Sequence, residues 1–310
     1  MAKHESSPYA RVGKVMLRLA PVVVPLGIWL ERRRRSLEGD LTVEDRIPRT
    51  RTALVTGASS GIGAAFARSL AAQRYNLILV ARREERLRQL ATDLAQRYPI
   101  EVEVLVADLS DPDQVARVED RVAASRLDLL VNNAGFGVSG TFVKADFDRL
   151  LSMIQVHVLA SVRLTRAALP GMIARGHGAI INVSSMAALM PKPLDVTYCA
   201  TKAYLNVFSE ALQGELQGTG VRVQALCPGF TVTEFHDDPE YQRLKVRSRI
   251  PGTFWMSADA VVAESFRALR RGPVICIPGV KNRLLAVVVR SGLAAFLIRL
   301  LAPRFRSAMT

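Results

Sequence analysis

Cysteine and histidine are scarce in this chain of 310 residues, and their scarcity excludes two kinds of site. The three cysteines, Cys199, Cys227 and Cys276, are too few and too scattered for a disulfide framework or a metal centre. The four histidines show none of the spacings that metal ligands take. We therefore expect buried thiols in a reducing compartment and no bound metal.

Acidic residues are also few, 28 against 42 lysines and arginines, which gives a net charge of +14. Such a charge suits nucleic acid, an anionic membrane or a phosphorylated ligand as partner. The sequence lacks zinc-finger spacing, an RNP-like motif and basic-zipper heptads, so we expect no nucleic-acid partner. Arginines instead border apolar runs, as the four at positions 32–35 do, which is typical of membrane flanks.

The two ends of the chain differ from its middle. The apolar run 15–30 is shorter than the roughly 20 residues of a spanning helix, and it lacks a small-residue cleavage site before the arginines. We expect residues 1–50 to be an apolar, basic extension and linker, either an uncleaved membrane anchor or an arm packed on protein. Residues 281–310 predict a basic apolar helix that contacts an anionic membrane surface, covers the sheet edge or meets a dimer partner.

Between these ends, short apolar runs alternate with helical stretches. The runs typical of strands are 52–56, 76–81, 102–106, 127–131, 179–183, 221–226 and 273–277. The helical stretches are roughly 63–74, 84–97, 111–124, 144–174, 196–217 and 257–270. This alternation indicates a parallel sheet with helices on both faces. The sequence thus predicts one α/β domain over residues 51–280, a Rossmann-type doubly wound sheet of about seven strands.

The first predicted strand runs into a glycine-rich turn, TGASSGIG at 56–63. Gly57 allows a tight reversal, Gly61 allows backbone to approach a pyrophosphate, and Gly63 allows the following helix to pack close to the strand. The phosphates would then lie at a helix N-terminus, where N–H groups favour negative charge. The hydroxyls of Ser59 and Ser60 are further donors, and Ile62 is counted among the cofactor contacts.

The end of the second predicted strand bears on which dinucleotide binds. NAD-binding sites usually carry an acidic residue there for the ribose 2′-hydroxyl, whereas this strand ends Val80-Ala81-Arg82-Arg83. A guanidinium binds phosphate in a bidentate fork, so Arg82 predicts NADP(H). The alternative, that the arginines only begin a solvated helix, applies best to Arg83.

Tyr198 and Lys202 stand four residues apart and share one face of a predicted helix. A tyrosine with a pKa near 10 exchanges protons poorly at neutral pH, and a neighbouring ammonium is expected to lower that pKa. Ser185, at the end of the fifth predicted strand, would hydrogen-bond a carbonyl oxygen.

Five motifs now stand in order with the spacing of one known family. They are TGASSGIG (56–63), NNAG (132–135), Ser185 thirteen positions before Tyr198, YCATK (198–202) and CPGFTVT (227–233). With Asp108-Leu109 they resemble the short-chain dehydrogenase/reductase family over about residues 50–280. Within that family the chain looks most like generic bacterial oxidoreductases. It is also similar to the membrane-associated hydroxysteroid dehydrogenases and 3-oxoacyl-CoA reductases.

The resemblance implies a role for each matching residue. Tyr198 would be the general acid/base, Ser185 would orient the substrate oxygen, and Lys202 would hold the nicotinamide ribose. The implied cofactor contacts are Asp108 and Leu109 at the adenine, Asn133, Ala134 and Gly135 at the adenosine ribose, and Pro228, Gly229, Val232 and Thr233 around the nicotinamide. The alternatives are a helix cap at Asp108 and a plain turn at Pro228-Gly229.

One position departs from the family pattern. The long central helix of the family usually carries a catalytic Asn, thought to hold a water linked to the lysine, and this chain has His157 there. Histidine donates and accepts, so it would hold or replace that water and add a group that titrates near pH 6.5. Burial and a positive Lys202 would lower its pKa, so we expect reduction to slow only below about pH 6.5. The alternative is a satisfied core residue.

These features predict an NADP(H)-dependent oxidoreductase that interconverts a carbonyl and a secondary alcohol. The apolar chain ends favour a lipophilic substrate, a location at the cytoplasmic face of a membrane and a homo-oligomer. The polar, proline- and glycine-containing insertion 234–256 is expected to form a substrate lid with the aromatic residues Phe235, Tyr241, Phe254 and Trp255. The alternative from another class is a non-catalytic, membrane-tethered NADP(H)-binding module. The intact Ser185, Tyr198 and Lys202 argue against that alternative, and His157 argues for it.

Overall fold

The computed structural model describes residues 51–190, 192–237, 242 and 246–290. The predicted N-terminal extension, including the run 15–30, lies outside these residues, and so does the C-terminal segment beyond position 290. Within the described part of the chain, no helix combines the length and apolar character needed to cross a bilayer.

The strands and helices alternate along the chain as the sequence predicts. The strands are β1 Arg51–Thr56, β2 Tyr75–Ala81, β3 Val102–Val106, β4 Leu129–Asn132, β5 Gly178–Val183, β6 Val221–Leu226, β7 Thr231–Val232, β8 Met256–Ser257 and β9 Ile275–Cys276. The helices are α1 Gly61–Ala72, α2 Glu84–Arg97, α3 Pro112–Ala123, α4 Phe147–Ile154, α5 Ala160–Ala174, α6 Val196–Glu215, α7 Val246–Arg249, α8 Ala258–Arg271 and α9 Val280–Arg290.

Seven of the strands described here form one parallel sheet in the order β3-β2-β1-β4-β5-β6-β9. This confirms the predicted doubly wound α/β fold. β7 and β8 make a separate parallel pair that the sequence reading did not predict, because each has only two residues. The strand order reverses between β1 and β4, and ligands of such sheets bind in the crevice outside the carboxyl ends at that point.

The core lies on both faces of the sheet, because its strands are buried on both sides. One face is covered by α1, α2 and α8, where Phe66 and Phe266 meet edge to face with ring centroids 5.5 Å apart. The other face is covered by α3 and α5, which bury Val118, Leu164 and Met172. Burial on both faces explains why the strands read as continuous apolar runs.

The predicted long helix 144–174 is wrong as a single element. α4 and α5 are separated by a π-helical turn over Gln155–Leu159, and α4 begins only at Phe147. Asp146 caps α4 by accepting hydrogen bonds from the N–H groups of Asp148 (3.0 Å) and Arg149 (3.3 Å). Turns of this kind occur frequently at functional sites, and His157 lies inside this one.

Candidate active site

Thr56, the last residue of β1, joins two of the predicted motifs at the reversal of strand order. Its hydroxyl oxygen accepts from the backbone N–H groups of Asn133 at 2.9 Å and Ala134 at 3.0 Å. The same hydroxyl donates to the carbonyl of Val131 at 3.3 Å. The glycine-rich turn and the NNAG segment are therefore held against each other.

The glycines of the turn are required by their surroundings. Gly57 has φ +65°, and a Cβ there would lie 2.8 Å from Asn133 Nδ2. A Cβ on Gly63 would lie 2.3 Å from the carbonyl oxygen of Gly57, so the start of α1 packs closely on the turn. Asn133, assigned to the adenosine ribose by resemblance, donates to the carbonyl of Thr56 at 2.8 Å. Its side chain thus braces the turn.

These residues fit the pyrophosphate of a dinucleotide. α1 begins at Gly61, so its N-terminal N–H groups open beside the turn, where an anion is stabilised. Gly61 has φ +55°, and a Cβ there would lie 3.2 Å from the side chain of Thr233. Thr233 therefore lies directly against the turn. An open cleft of about 540 Å³ is lined on one side by Ser59, Ser60 and Gly61.

The two arginines after β2 have different partners. Arg82 lies 3.5 Å from the carboxylate of Asp108 and is largely exposed. Arg83 donates to the hydroxyls of Ser59 at 3.1 Å and Ser60 at 2.6 Å, and to Glu234 at 2.8 Å. The sequence reading gave Arg83 to the helix surface, whereas here it reaches the glycine-rich turn. The doubled arginine at the end of β2 was the signal that could have identified it.

Asp108 and Leu109 lie in different environments, with Asp108 partly exposed and Leu109 in the core. The Asp108 carboxylate accepts from the N–H of Ser110 at 2.9 Å and from its hydroxyl at 2.7 Å. Burial works against ionisation of Asp108, but these bonds and Arg82 lower its pKa overall. Leu109 is buried in the core. The alternative of a helix cap at Asp108 is wrong, because Asp111 caps α3.

Tyr198 and Lys202 share one face of α6, with the Lys202 ammonium 5.7 Å from the centroid of the Tyr198 ring. Ser185 lies near enough to the Tyr198 phenol to lower its pKa, and its hydroxyl oxygen accepts from the N–H of Ala187 at 3.1 Å. Lys202 Nζ donates to the carbonyl of Val183 at 2.9 Å. The end of β5 thus brings the three predicted residues together.

Burial controls the ionisation of both groups. It raises the pKa of Tyr198 to about 12, although Ser185 opposes the change. It lowers the pKa of Lys202 to about 8. The expected lowering of the tyrosine pKa is therefore wrong for the protein without cofactor, because loss of water raises the pKa of Tyr198. A phenol that stays protonated at neutral pH is suited to donate a proton.

His157 is buried beside these groups, and both ring nitrogens have protein partners. Nε2 accepts from the N–H of Phe136 at 3.1 Å. Nδ1 therefore carries the proton and donates to the Thr201 hydroxyl at 2.9 Å, which in turn donates to the carbonyl of Tyr198 at 2.9 Å. Burial and then Lys202 lower the pKa of His157 well below 6.5, which confirms the expected direction and causes. The proton relay through His157 stays a prediction.

Thr201 is a residue that the sequence reading did not single out, although it stands within YCATK. Gly135, by contrast, was predicted at the site, and its surroundings explain why it is glycine. A Cβ there would lie 2.7 Å from His157 Nε2 and 3.5 Å from Lys202 Nζ. The NNAG segment therefore passes directly over both side chains.

The segment after β6 closes the site from the other side. The N–H of Met186, next to Ser185, donates to the carbonyl of Pro228 at 2.9 Å. A Cβ on Gly229 would lie 2.6 Å from Asn282 Oδ1, and Val232 is exposed. This bond brings Pro228 beside Ser185, whereas Thr233 lies against the glycine-rich turn.

Aromatic rings extend from Tyr198 into the region of the predicted lid. Phe235 lies 5.8 Å from the Tyr198 ring, and His236 lies 5.3 Å from Phe235 and 4.9 Å from Trp255. Burial, followed by Arg247 and Lys192, lowers the pKa of His236 to about 4, so its ring is neutral at pH 7. The surface beside Tyr198 is therefore apolar and aromatic. Tyr241, also expected in the lid, lies outside the described residues.

Comparison with known proteins gives a consistent result. Residues 51–243 match the family model for short chain dehydrogenases. The chain is 37% identical to the human "Inactive hydroxysteroid dehydrogenase-like protein 1" over 59% of this chain and 56% of that protein. It is 35% identical to the "Very-long-chain 3-oxoacyl-CoA reductase" of Anas platyrhynchos over 59% of this chain and 60% of that protein. The match thus spans little more than half the length of these curated relatives.

A solved structure extends further along the chain. The short-chain dehydrogenase of Sphingobium yanoikuyae in complex with NADPH is 35% identical, with a TM-score of 0.69. The match covers 79% of this chain and 95% of that one.

Proposed function

The chain belongs to the short-chain dehydrogenase family, and on that premise we propose that it reduces a lipophilic ketone to a secondary alcohol with NADP(H). The observation that carries the proposal is the partly buried phenol of Tyr198, which lies in one cluster with Ser185 and the ammonium of Lys202. The glycine-rich turn, the start of α1 and the arginines after β2 would hold the dinucleotide. When bound, the dinucleotide supplies or accepts the hydride.

The protein's own groups would handle the proton. Ser185 orients the substrate carbonyl by donating its hydroxyl proton to the carbonyl oxygen. Tyr198 then gives its phenolic proton to that oxygen as negative charge develops there, which is the moment at which a positioned acid accelerates a reaction. The pKa of Tyr198, raised to about 12 by burial, keeps the phenol protonated at neutral pH.

Lys202 would assist from behind the tyrosine. Its ammonium lies close enough to the ring to stabilise the phenolate that remains after proton transfer. The pKa of about 8 leaves Lys202 charged at neutral pH and able to return a proton. The hydrogen bond to the carbonyl of Val183 fixes its position.

The substrate class follows from the surface beside Tyr198. Phe235, Trp255 and Phe230 offer apolar rings there, and the neutral His236 adds no charge at pH 7. Such a surface suits a fatty-acyl, steroid or prenoid carbonyl. A curated relative is named a very-long-chain 3-oxoacyl-CoA reductase, which also supports a lipophilic substrate.

The test is transfer of deuterium from the reduced cofactor into product. The purified full chain is incubated with NADPH deuterated at nicotinamide C4 and a panel of 3-oxoacyl, steroid and short-chain ketones. We expect deuterium on the carbinol carbon of lipophilic products and at least tenfold slower transfer to short-chain ketones. NADPH binding without deuterium transfer to any ketone would instead support the non-catalytic module.

That second function has one observation in its favour, since a curated relative is named inactive. This chain retains Ser185, Tyr198 and Lys202 in one cluster, which favours catalysis. The same transfer assay separates the two functions.

Membrane contact and self-association complete the proposal. α4 and α6 leave apolar side chains exposed, among them Phe147, Leu151 and Val207, which favours a homo-oligomer. The proposed location is the cytoplasmic face of a membrane, which the basic, apolar ends of the sequence support. We expect the full chain to pellet with anionic vesicles at low salt, and a chain that stays in the supernatant would contradict this location.

A further inference from the structure

The carboxylate of Glu234, which is distant in sequence, forms ion pairs with two arginines beside the glycine-rich turn. Glu234 accepts from Arg83 at 2.8 Å and from Arg86 at 2.5 Å. Arg83 also donates to the hydroxyls of Ser59 and Ser60. Two guanidinium groups and two hydroxyls thus converge on one edge of the turn, and the anion there belongs to the protein itself.

Glu234 reaches this position because the segment after β7 crosses the turn. Thr233 lies against Gly61, and Glu234 follows it at the start of a short helical turn over Glu234–Asp237. Arg83 and Arg86 lower the pKa of Glu234, so the carboxylate is charged at neutral pH. About half of its side chain is exposed to solvent, so a small ligand can reach the group and displace it.

The donors that Glu234 uses are those that a ribose 2′-phosphate requires. Arginine after the second strand of a doubly wound fold accommodates that phosphate, and guanidinium prefers it in a bidentate geometry. The 2′-phosphate and the Glu234 carboxylate would compete for the same guanidinium N–H groups, and the two anions would repel each other at that distance. A dinucleotide with the phosphate must therefore displace the carboxylate, whereas one without it can bind with the ion pairs intact.

We propose that Glu234 is a specificity-determining residue that competes with the 2′-phosphate of NADP(H) for Arg83 and Arg86. The inference rests on the function proposed above. Glu234 then holds the preference for NADPH over NADH below what the arginines alone would give. The opposing explanation is that Glu234 only fixes the arginines in place, in which case its removal weakens binding of the phosphate.

The experiment compares two nucleotides that differ in this phosphate. Adenosine 2′,5′-bisphosphate and adenosine 5′-monophosphate are titrated calorimetrically into the wild-type protein and Glu234→Gln. We expect about tenfold tighter binding of the bisphosphate to Glu234→Gln and less than about a twofold change for the monophosphate. Asp237→Asn is the matched control, because Asp237 lies in the same short turn and pairs with Arg247 at 3.1 Å.

A cycle of combined substitutions tests whether Glu234 acts through the two arginines. If the carboxylate competes at these guanidinium groups, most of the Glu234→Gln effect disappears in a background that carries both Arg83→Gln and Arg86→Gln. An effect of long-range charge would survive that background and would appear equally in Asp237→Asn. Either of those results would overturn the proposal.

The outcomes also separate this inference from the proposed function. Tighter binding of both nucleotides to Glu234→Gln, or weaker binding of the bisphosphate, overturns the competition while NADPH-dependent turnover still stands. A wild-type protein that binds neither the bisphosphate nor NADPH overturns the proposed function, and the competition with it. In the expected case, the ratio of NADPH to NADH affinity rises about tenfold in Glu234→Gln.

Discussion

The two sides of the site use charge in opposite ways. On the catalytic side, Lys202 is only 5% exposed, and no described carboxylate pairs with its ammonium. On the cofactor side, Arg83 and Arg86 are roughly half exposed and both contact Glu234. We call the catalytic side the dry side, because its ammonium is buried without a described carboxylate partner. We call the cofactor side the wet side, because its arginines are exposed to water and ion-paired.

The difference in exposure determines how the charged groups of each side behave. Burial moves the pKa values of Tyr198, Lys202 and His157 toward the neutral forms, so at neutral pH only Lys202 on the dry side carries a charge that burial disfavours. Water screens the exposed arginines, so their ion pairs contribute little to stability and remain free to exchange one anion for another. Substitutions on the dry side should therefore have larger effects than those on the wet side.

The largest effect is expected for Tyr198→Phe. It removes the proton donor and leaves the ring, so ketone reduction should fall about 10³-fold, equivalent to about 4 kcal/mol. NADPH affinity should stay within a few-fold of wild type. Tyr204→Phe, a half-exposed tyrosine on the same helix, is the control for kinetic assays and should change turnover less than twofold. Activity of Tyr198→Phe close to wild type would refute the assignment of the acid.

Lys202→Met should abolish turnover and yet stabilise the fold. The shift in the pKa of Lys202 from 10.5 to about 8 corresponds to about 3 kcal/mol, and the lost bond to Val183 offsets about 1 kcal/mol. Because the folded pKa is depressed, wild-type stability rises as pH increases from 8 to 10.5. The gain of the variant should therefore be about 2 kcal/mol at pH 7, should vanish between about pH 9 and 10, and should become a loss of about 1 kcal/mol near pH 10.5.

Urea unfolding at several pH values measures this gain. Lys144→Met, at an exposed lysine, controls for the change of residue type and should leave stability within about 0.5 kcal/mol. A less stable Lys202→Met at pH 7 would show that the buried ammonium is compensated by a partner.

The fold was largely predictable because burial on both faces makes each strand of the large sheet a distinct apolar run. The pairing of Thr231–Val232 with Met256–Ser257 was not predictable, since two residues show no periodicity. The break at His157 was also missed, because a π-helical turn keeps helical composition. Spacing within α6 predicted that Tyr198 and Lys202 meet, but no spacing rule links Arg83 to Glu234, 151 positions away.

The substitution His157→Asn tests how the stability of the dry side depends on pH below 6.5. The pKa of His157 lies well below 6.5 in the folded protein, so below pH 6.5 only the unfolded chain takes up this proton. Wild-type stability should then fall with a slope of up to about 1.4 kcal/mol per pH unit below pH 6.5, and the variant should lose this part of the slope. The slope is read from urea unfolding between pH 7 and 5.

His236 contributes to the same slope, since its pKa is lowered to about 4. His236→Asn and the double variant separate the two contributions, and an unchanged slope in His157→Asn would contradict the assignment. The rate of reduction, followed over the same range, shows whether His157 also carries the proposed relay. In that case the acid limb of the wild-type profile, expected well below pH 6.5, is absent from His157→Asn.

On the wet side, substitutions should alter cofactor choice more than stability. Arg82→Asp and Arg83→Asp should each weaken NADPH binding by about 1–2 kcal/mol and leave NADH within about 0.5 kcal/mol. Arg83 should have the larger effect, because it already contacts both serines of the turn whereas Arg82 lies 3.5 Å from Asp108. Fluorescence titration with both cofactors measures the change. An NADPH affinity that is unchanged in both variants would contradict the role of both arginines.

The smallest effect is expected where an ion pair looks strongest. Arg88 and Glu84 stand one turn apart on α2, with a nitrogen–oxygen distance of 2.6 Å, yet the two side chains are 68% and 53% exposed. Water screens this pair and side-chain entropy opposes it, so Arg88→Gln should cost no more than about 0.5 kcal/mol in urea unfolding. Added salt should shrink even that difference. If Arg88→Gln lost more than about 1 kcal/mol of unfolding free energy, exposure would not determine what an ion pair contributes to the stability of this protein. The contrast between the two sides would then have to rest on geometry.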